Sequence, residues 1–462
     1  MNSPESSALS DGSPATPAHE APGLRVLRVA LAAGFAVALT FLLGLAVVGW
    51  SLTARAALEP LLEGVGKDAD ASSTALLFTA AFVLLTPTAL LVILLRQRRF
   101  AWPVLVIGGA GTIAVLIWLA WDDPAVRRPL TYEELVPPFD GAERSFAVLM
   151  QYSKQHPSPE AAAFFAEKRL SPWSGPGAID GGKWLEYITA NRAALEADWK
   201  ILAPQRRWWA ELNAFERLGD LTPPRWDFDI ISFQVWRTLS QHSCAIASLQ
   251  ALDNQGDAAI ATLLPALQLG RKLQSTSRTL VRSMIGIVIE KMMLQTVALV
   301  LDHTAISPAS RAALAAELRI GNGPAGARHL ILTEIPMMAA ALARENPSVL
   351  FGTMAPGNSS PPTRGLLNAL GPFLCNIRAT VNLYADHMYE LAALAETRQL
   401  DKLDAWSNGY IADAYRQRSF KNLGGRWLVL RASPAYTKVL QSYWTTQDLR
   451  ATVLARVTAL PR

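Results

Sequence analysis

The residues spaced most nearly for metal or acid–base chemistry lie in Asp386-His387-Met388-Tyr389-Glu390. On a helix, His387 and Glu390 are three apart and Asp386 and Glu390 are four apart, so carboxylates and an imidazole occupy neighbouring positions on one surface. Carboxylate–imidazole sets at such spacing hold metal ions or pass protons. A working site needs a partner set from another element. The other histidines, His19, His156, His242, His303 and His329, are scattered and form no His-x-x-x-His pair. Asp386, His387 and Glu390 are therefore the catalytic candidates. The competing expectation is a solvated helix face or a structural, hydrogen-bonded His387. No cofactor and no metal is expected.

Glu290-Lys291 interrupts the most apolar helix beyond residue 130. Buried ionisable groups with shifted proton affinity can mark function, whereas an internal ion pair, or two heads reaching water at a helix edge, is the plainer expectation. Cys244 and Cys375 are too few for a thiolate zinc site and form no Cys-x-x-Cys pair. In an oxidising periplasm they could join in one disulfide. Their apolar helical neighbours suggest two buried, unpaired thiols instead. No Ser stands in a Gly-x-Ser-x-Gly setting and no Gly-rich phosphate loop occurs. Gly321-Asn322-Gly323 and Gly424-Gly425 read as helix ends and turns. The net charge of +5 over 462 residues leaves no nucleic-acid footprint. Arg206-Arg207 beside Trp208-Trp209 and Arg416-Gln417-Arg418 are basic groups able to touch anionic head groups, with solvated faces as the expectation. A groove lined by Trp residues would be the first place to seek a partner.

The elements that must carry these residues begin with three apolar runs. No charge falls within 29–54, 71–95 or 100–121, and each run exceeds the roughly 20 residues that cross a bilayer. Backbone in hydrocarbon must bond within its own segment, which predicts helices at about 29–53, 73–95 and 100–121. Ala54-Arg55-Ala56 could pass for a cleavage site, but the first run is far longer than a signal-peptide core, which favours a retained anchor. Residues 1–24, rich in Ser, Pro and Ala, read as a disordered tail. Residues 25–122 then form a three-helix transmembrane anchor, and 130–462 an extramembrane helical domain.

Orientation follows the basic residues beside the helix ends. Three crossings put Arg25 and Arg28 on the same side as the tight turn Arg96-Gln97-Arg98-Arg99. The opposite side carries Arg55, Lys67, Arg127 and Arg128, diluted by Glu59, Glu63, Asp68, Asp70 and Asp122-Asp123. The turn at Arg96, Arg98 and Arg99 is purely basic. It predicts a multi-pass inner-membrane protein with a cytoplasmic N-terminus and a periplasmic C-terminal domain.

Beyond residue 130 the pattern is helical nearly throughout. Trp184, Ile188, Leu195 and Trp199 share a helical face, and a long helix is predicted to end near Leu252. Gly256-Asp257 predicts a turn with Asp257 capping the next helix, about 258–274, which Pro265 should kink. The apolar helix at about 279–301 contains Arg282, Glu290 and Lys291, so it reads as a buried central helix rather than a span. Ser307-Pro308 predicts a cap with Pro at the first helical position. Helices at 309–318, 325–344, 365–398, 400–416 and 434–459 follow, with an exposed loop at 345–363. Trp427 to Leu430 is the best strand candidate and is short.

The helix, Gly-Asp turn and helix over Ser248–Leu273 resemble a tetratricopeptide hairpin. The next comparable turn, Ser307-Pro308, falls too far on for the repeat of about 34 residues. The fold class is all-α, with an irregular helical-hairpin, solenoid-like domain after the transmembrane helices. The stretches GDAAIATLLPALQLGRKL, RTLVRSMIGIVIEKMMLQTVALVL, LDHTAISPASRAALAAEL and KNLGGRWLVLRASPAY resemble a widespread group of bacterial membrane-anchored all-helical proteins. That resemblance implies a membrane-tethered helical domain; it carries no activity and no site residues. The function expected is protein binding or scaffolding at the periplasmic face, with the lipid bilayer and a cell-envelope protein as partners and no nucleic acid. The alternatives are a membrane-associated enzyme acting on lipid or envelope material, and an accessory subunit of a transport or secretion complex.

Overall fold

A computed structural model of the protein describes residues 23–27, 29–36, 106, 110–111, 113–153, 181–224, 234–344, 375–403, 405–406, 422, 425–426, 429 and 435–459. The chain divides into two compact units, Met1–Trp121 and Asp122–Arg462. In the first unit, residues 29–36 and 113–120 are helical. The rest of the first apolar run, all of the second and the Arg96, Arg98 and Arg99 turn lie outside the described residues. So do the 345–363 loop, Arg416-Gln417-Arg418 and most of Trp427–Leu430.

No strand occurs among the described residues, and the fold is all-α. The second unit runs through α1 (Tyr132–Leu135), α2 (Ala142–Ser153), α3 (Gly181–Ala190), α4 (Arg192–Ile201), α5 (Ala203–Asn213) and α6 (Gln234–Leu252). It continues through α7 (Gly256–Ser275), α8 (Leu280–His303), α9 (Pro308–Arg319), α10 (Gly323–Leu332), α11 (Glu334–Arg344), α12 (Ile377–Glu396) and α13 (Ala435–Ala459).

Local chemistry explains most of these boundaries. Thr131 and Glu134 cap α1 reciprocally, each side chain bonding the other's backbone N–H. Ser307 caps α9 by accepting from the Ser310 N–H at 3.2 Å, with Pro308 at the first helical position. Asp257 does not cap its own helix. Its carboxylate reaches the N-terminus of α9 and accepts from the Ser307 N–H at 2.8 Å, a contact between elements that spacing alone does not reveal. The helix expected at 325–344 is two helices, broken at Thr333. Pro336 cannot donate to the carbonyl of Leu332, so the first helix ends there. Pro265 sits inside α7 without ending it, and its carbonyl accepts from the Asn213 amide at 2.8 Å.

The buried side chains form two cores. The first gathers α2 to α9 around Trp236, Leu263 and Val297. The second gathers α10 to α12 around Leu330, Tyr384 and Met388. Two helices belong to both. α8 gives Ile287 to the second core and Leu294 to the first, while α13 gives Leu440 and Tyr443 to the second and Val453 and Val457 to the first.

α8 is the one helix among the described residues that is long and apolar enough to cross a membrane, with a mean hydropathy of 1.8. It packs against α6, α7 and α13, and Arg282 and Glu290 are buried on it, as the reading of a central helix required. One stripe, Val281, Met284 and Val288, stays exposed.

Where α7 and α8 cross, glycine meets glycine. A Cβ placed on Gly286 of α8 would lie 2.6 Å from the carbonyl oxygen of Gly270 on α7, and 2.7 Å from Gln274 Cγ. Gly286→Ala is expected to cost about 1–3 kcal/mol as the backbones are forced apart. Gly321→Ala serves as control, since its Cβ would meet Gln447 Oε1 only at an ordinary 3.5 Å. Equal urea midpoints for the two variants would contradict this account of the contact.

Candidate functional site

α12 separates the three catalytic candidates. Asp386 lies on the face that meets the segment just after the third apolar run. That segment, residues 122–128, follows the helix turn by turn. Asp122 lays its carboxylate over the start of α12, where Oδ2 accepts from the Arg378 N–H and Oδ1 from the Ala379 N–H, both at 2.9 Å. Backbone N–H groups in a first turn have no partner inside the helix, and a carboxylate there also meets the positive end of the helix dipole. Arg378 returns the contact, donating to the carbonyls of Asp123 at 3.3 Å and Pro124 at 2.9 Å.

One turn on, the Asn382 amide donates to Asp123 Oδ2 at 2.7 Å and to the Ala125 carbonyl at 3.1 Å. Its Oδ1 accepts from the Arg127 N–H at 2.7 Å. A further turn brings Asp386 to Arg127 at 3.0 Å and Arg128 at 3.6 Å. Arg128 also lies over the Tyr389 ring, 5.1 Å from its centre. Residues 378, 382, 386 and 389 follow the spacing of one helical face.

His387, the next residue round the helix, is buried and stacks on Trp406 with ring centres 4.1 Å apart. Burial holds its proton affinity down, to a pKa of about 3, so the ring is neutral near pH 7. Glu390 accepts from Trp406 Nε1 at 3.2 Å. His387 and Glu390 thus meet through an indole, while Asp386 is committed to two arginines.

Glu290 does form an internal ion pair, with a partner far away in the chain. It is fully buried on α8 and accepts from Arg450 Nε of α13 at 2.7 Å. Gln274 of α7 donates to its other oxygen at 2.6 Å. Arg450 also donates to the carbonyls of Glu317 at 2.8 Å and Ile320 at 3.2 Å, which closes the C-terminal end of α9. Lys291, the sequence neighbour, is half-buried.

A third polar cluster surrounds the corner between α7 and α8. The Asp220 carboxylate accepts from the Thr222 N–H at 3.0 Å, the Thr222 hydroxyl at 2.5 Å and the Arg278 N–H at 2.7 Å. Arg282, also fully buried, approaches it at 3.3 Å and donates to the carbonyl of Gly219 at 2.8 Å. His329 Nε2 donates to the Ser277 carbonyl at 2.8 Å, and burial lowers its proton affinity. Glu334 accepts from the Leu280 N–H at 3.2 Å, and burial raises its pKa. Thr279 caps the same helix start through the Arg282 N–H. A neutral imidazole and a carboxyl biased toward its protonated form could pass a proton in principle. Here they fasten the start of α8.

Sequence spacing does not gather Asp220, His329 and Glu334, because they come from three separate elements. The sequence signals were Arg282 at this corner and Glu290 at the Arg450 pair, charges inside an apolar helix.

Cys244 and Cys375 are free thiols, and the disulfide is not formed. Cys244 is enclosed between α6 and α8, its sulfur 3.8 Å from the Met292 carbonyl, and burial pushes its pKa up to about 12. Cys375 lies at the start of α12, its sulfur 3.6 Å from the Thr380 hydroxyl. The protonated forms are favoured, which makes both poor nucleophiles and metal ligands. Trp208 and Trp209 are core residues, Trp208 stacking on Tyr152 at 4.7 Å. Arg206 covers the Trp199 ring at 4.2 Å.

Among the described residues, no group of three or more His, Cys, Asp or Glu is placed to hold a metal ion. No protein-family model, no curated protein and no solved structure matches the chain.

Proposed function

We propose that the protein is a membrane-anchored helical scaffold, with residues 29–53, 73–95 and 100–121 as the anchor and the Asp122–Arg462 unit as a platform for contacts with another envelope protein. The observation that carries this reading is where the ionisable groups go. Asp386 is held by Arg127 and Arg128, Glu290 by Arg450, Asp220 by Arg282, and Glu334 by the start of α8. Each is committed to joining elements, which favours a structural platform over the membrane-associated enzyme. The exposed apolar residues Ile113, Ile117, Trp118 and Trp121 at the end of the third run suit a lipid surround, since water disfavours so continuous an apolar face. The basic Arg96–Arg99 turn supports a cytoplasmic N-terminus and a periplasmic platform. A role as accessory subunit of a transport or secretion complex would place the contacts on the anchor instead.

Two experiments test the reading. Alkaline phosphatase fused after Arg462 should be active, and inserted at residues 96–99 it should be inactive; the reverse pattern overturns the orientation. A photo-crosslinking residue at Met284 or Val288, on the exposed stripe of α8, should trap one protein reproducibly in native membranes. Adducts found only with a crosslinker in the 100–121 run would favour the accessory-subunit reading and sink the platform.

A further inference from the structure

We propose that residues 122–128 are a latch, a strap clipped along α12 that opens as a unit while both cores stay folded. The contacts that hold it are of a different kind from those that seat the helix. α12 is seated in the second core by Tyr384, Met388 and Leu391 on its buried side. The strap is held on another face, by Arg378, Asn382, Asp386 and Tyr389. Its two ends are polar and partly exposed: Arg127 and Asp386 keep 64% and 35% of their side-chain surface in water. Ion pairs at that exposure are weak and screened by salt.

Asn382 makes the latch two-state. It is 1% exposed, and its amide bonds Asp123, Ala125 and Arg127, all on the strap. A half-peeled strap would leave this buried amide partly unsatisfied, at a cost of about 1–3 kcal/mol. The stable alternatives are a strap fully clipped, or one fully removed with water at Asn382. Val126 packs against the second core, and no residue of 122–128 belongs to the first.

Asp122 comes directly after the third apolar run, so a displacement of that run would reach the strap at the Asp122 cap of α12, and the strap then opens as a whole. The latch itself rests on contacts within the Asp122–Arg462 unit; only the source of the displacement rests on the proposed membrane anchor.

Hydrogen–deuterium exchange on the full chain in detergent tests both parts. Asn382→Ala should speed exchange at residues 122–128 and at Arg378 and Ala379 by roughly tenfold or more, with 256–303 unchanged. Asp386→Arg should act in the same direction, and adding Arg127→Asp should restore protection. Unchanged exchange at 122–128 overturns the latch. So does an equal rise across 256–303, which would mean that strap and cores open together, and so does a failure of the charge swap to restore. Alkaline carbonate extraction run in parallel separates the two readings. Loss of the chain from membranes, with strap exchange as expected, would overturn the anchor and leave the latch standing. Retention in membranes with an unresponsive strap would do the opposite.

Discussion

Arg450→Leu is expected to destabilise the Asp122–Arg462 unit by about 3–5 kcal/mol, because it strands the fully buried Glu290 carboxylate. A further loss adds to this. The carbonyls of Glu317 and Ile320 at the end of α9 lose their donor, while the Gln274 amide still donates to Glu290. Replacing both charges, as Glu290→Leu with Arg450→Leu, should recover much of the loss, since an apolar pair of similar volume removes the unpaired charge. Urea unfolding of the full chain in detergent, followed by tryptophan fluorescence, gives the comparison. A single-variant loss below about 1 kcal/mol would mean that water reaches Glu290 and that α8 and α13 are not joined as described.

Acidification should weaken the fold between pH 6.5 and about 3, with His387 as one contributor. Burial holds its folded pKa down to about 3, whereas an unfolded histidine titrates near 6.5. Within that window the unfolded chain takes up a proton that the folded chain refuses. Stability therefore rises with pH there and is lost as pH falls. By pH 4 the difference is on the order of 3 kcal/mol. His242 and His329 are shifted the same way, chiefly by burial, and steepen the loss. Glu334 works in the opposite sense. Burial raises its pKa, so its contribution is present at low pH and declines as pH rises past the ordinary carboxyl range. His387→Phe keeps an aromatic ring against Trp406 and should flatten the slope of stability against pH between 6.5 and 4. Identical slopes for the two proteins would refute the assignment to His387.

Helices α7, α8 and α9 were legible because local signals marked them, whereas the helix expected at 365–398 begins only at Ile377, after an extended Asn376. Thr279 at the head of α8 and Ser307-Pro308 at the head of α9 are bonds made within one turn, so sequence spacing contains them. The central position of α8 was legible too, because Arg282 and Glu290 make it too polar to favour lipid yet leave it too apolar for a surface. The split at Thr333 was not read, since Pro336 follows it by three residues inside an otherwise apolar pattern.

The candidate cluster shows where local reading stops. Spacing placed Asp386, His387 and Glu390 on one surface of a helix, whereas α12 turns Asp386 to Arg127 and Arg128 and leaves His387 and Glu390 against Trp406. It could not say that residues 122–128 lie along one face, or that Trp406 covers another. Those partners are more than 250 positions before Asn382 and 16 positions after Glu390, and nothing local selects them.

By itself, the sequence determined the all-helical class, the approximate bounds of α7, α8, α9 and α13 and three apolar runs of bilayer length, because periodicity, capping and charge-free length act over one or two turns. Only the tertiary structure decided that Glu290 pairs with Arg450, that Asp220 and Glu334 hold the start of α8, and that the chain leaving the third run is clipped to α12. Each of those contacts satisfies a buried charge or a helix end across a long stretch of chain, and their partners are chosen by packing.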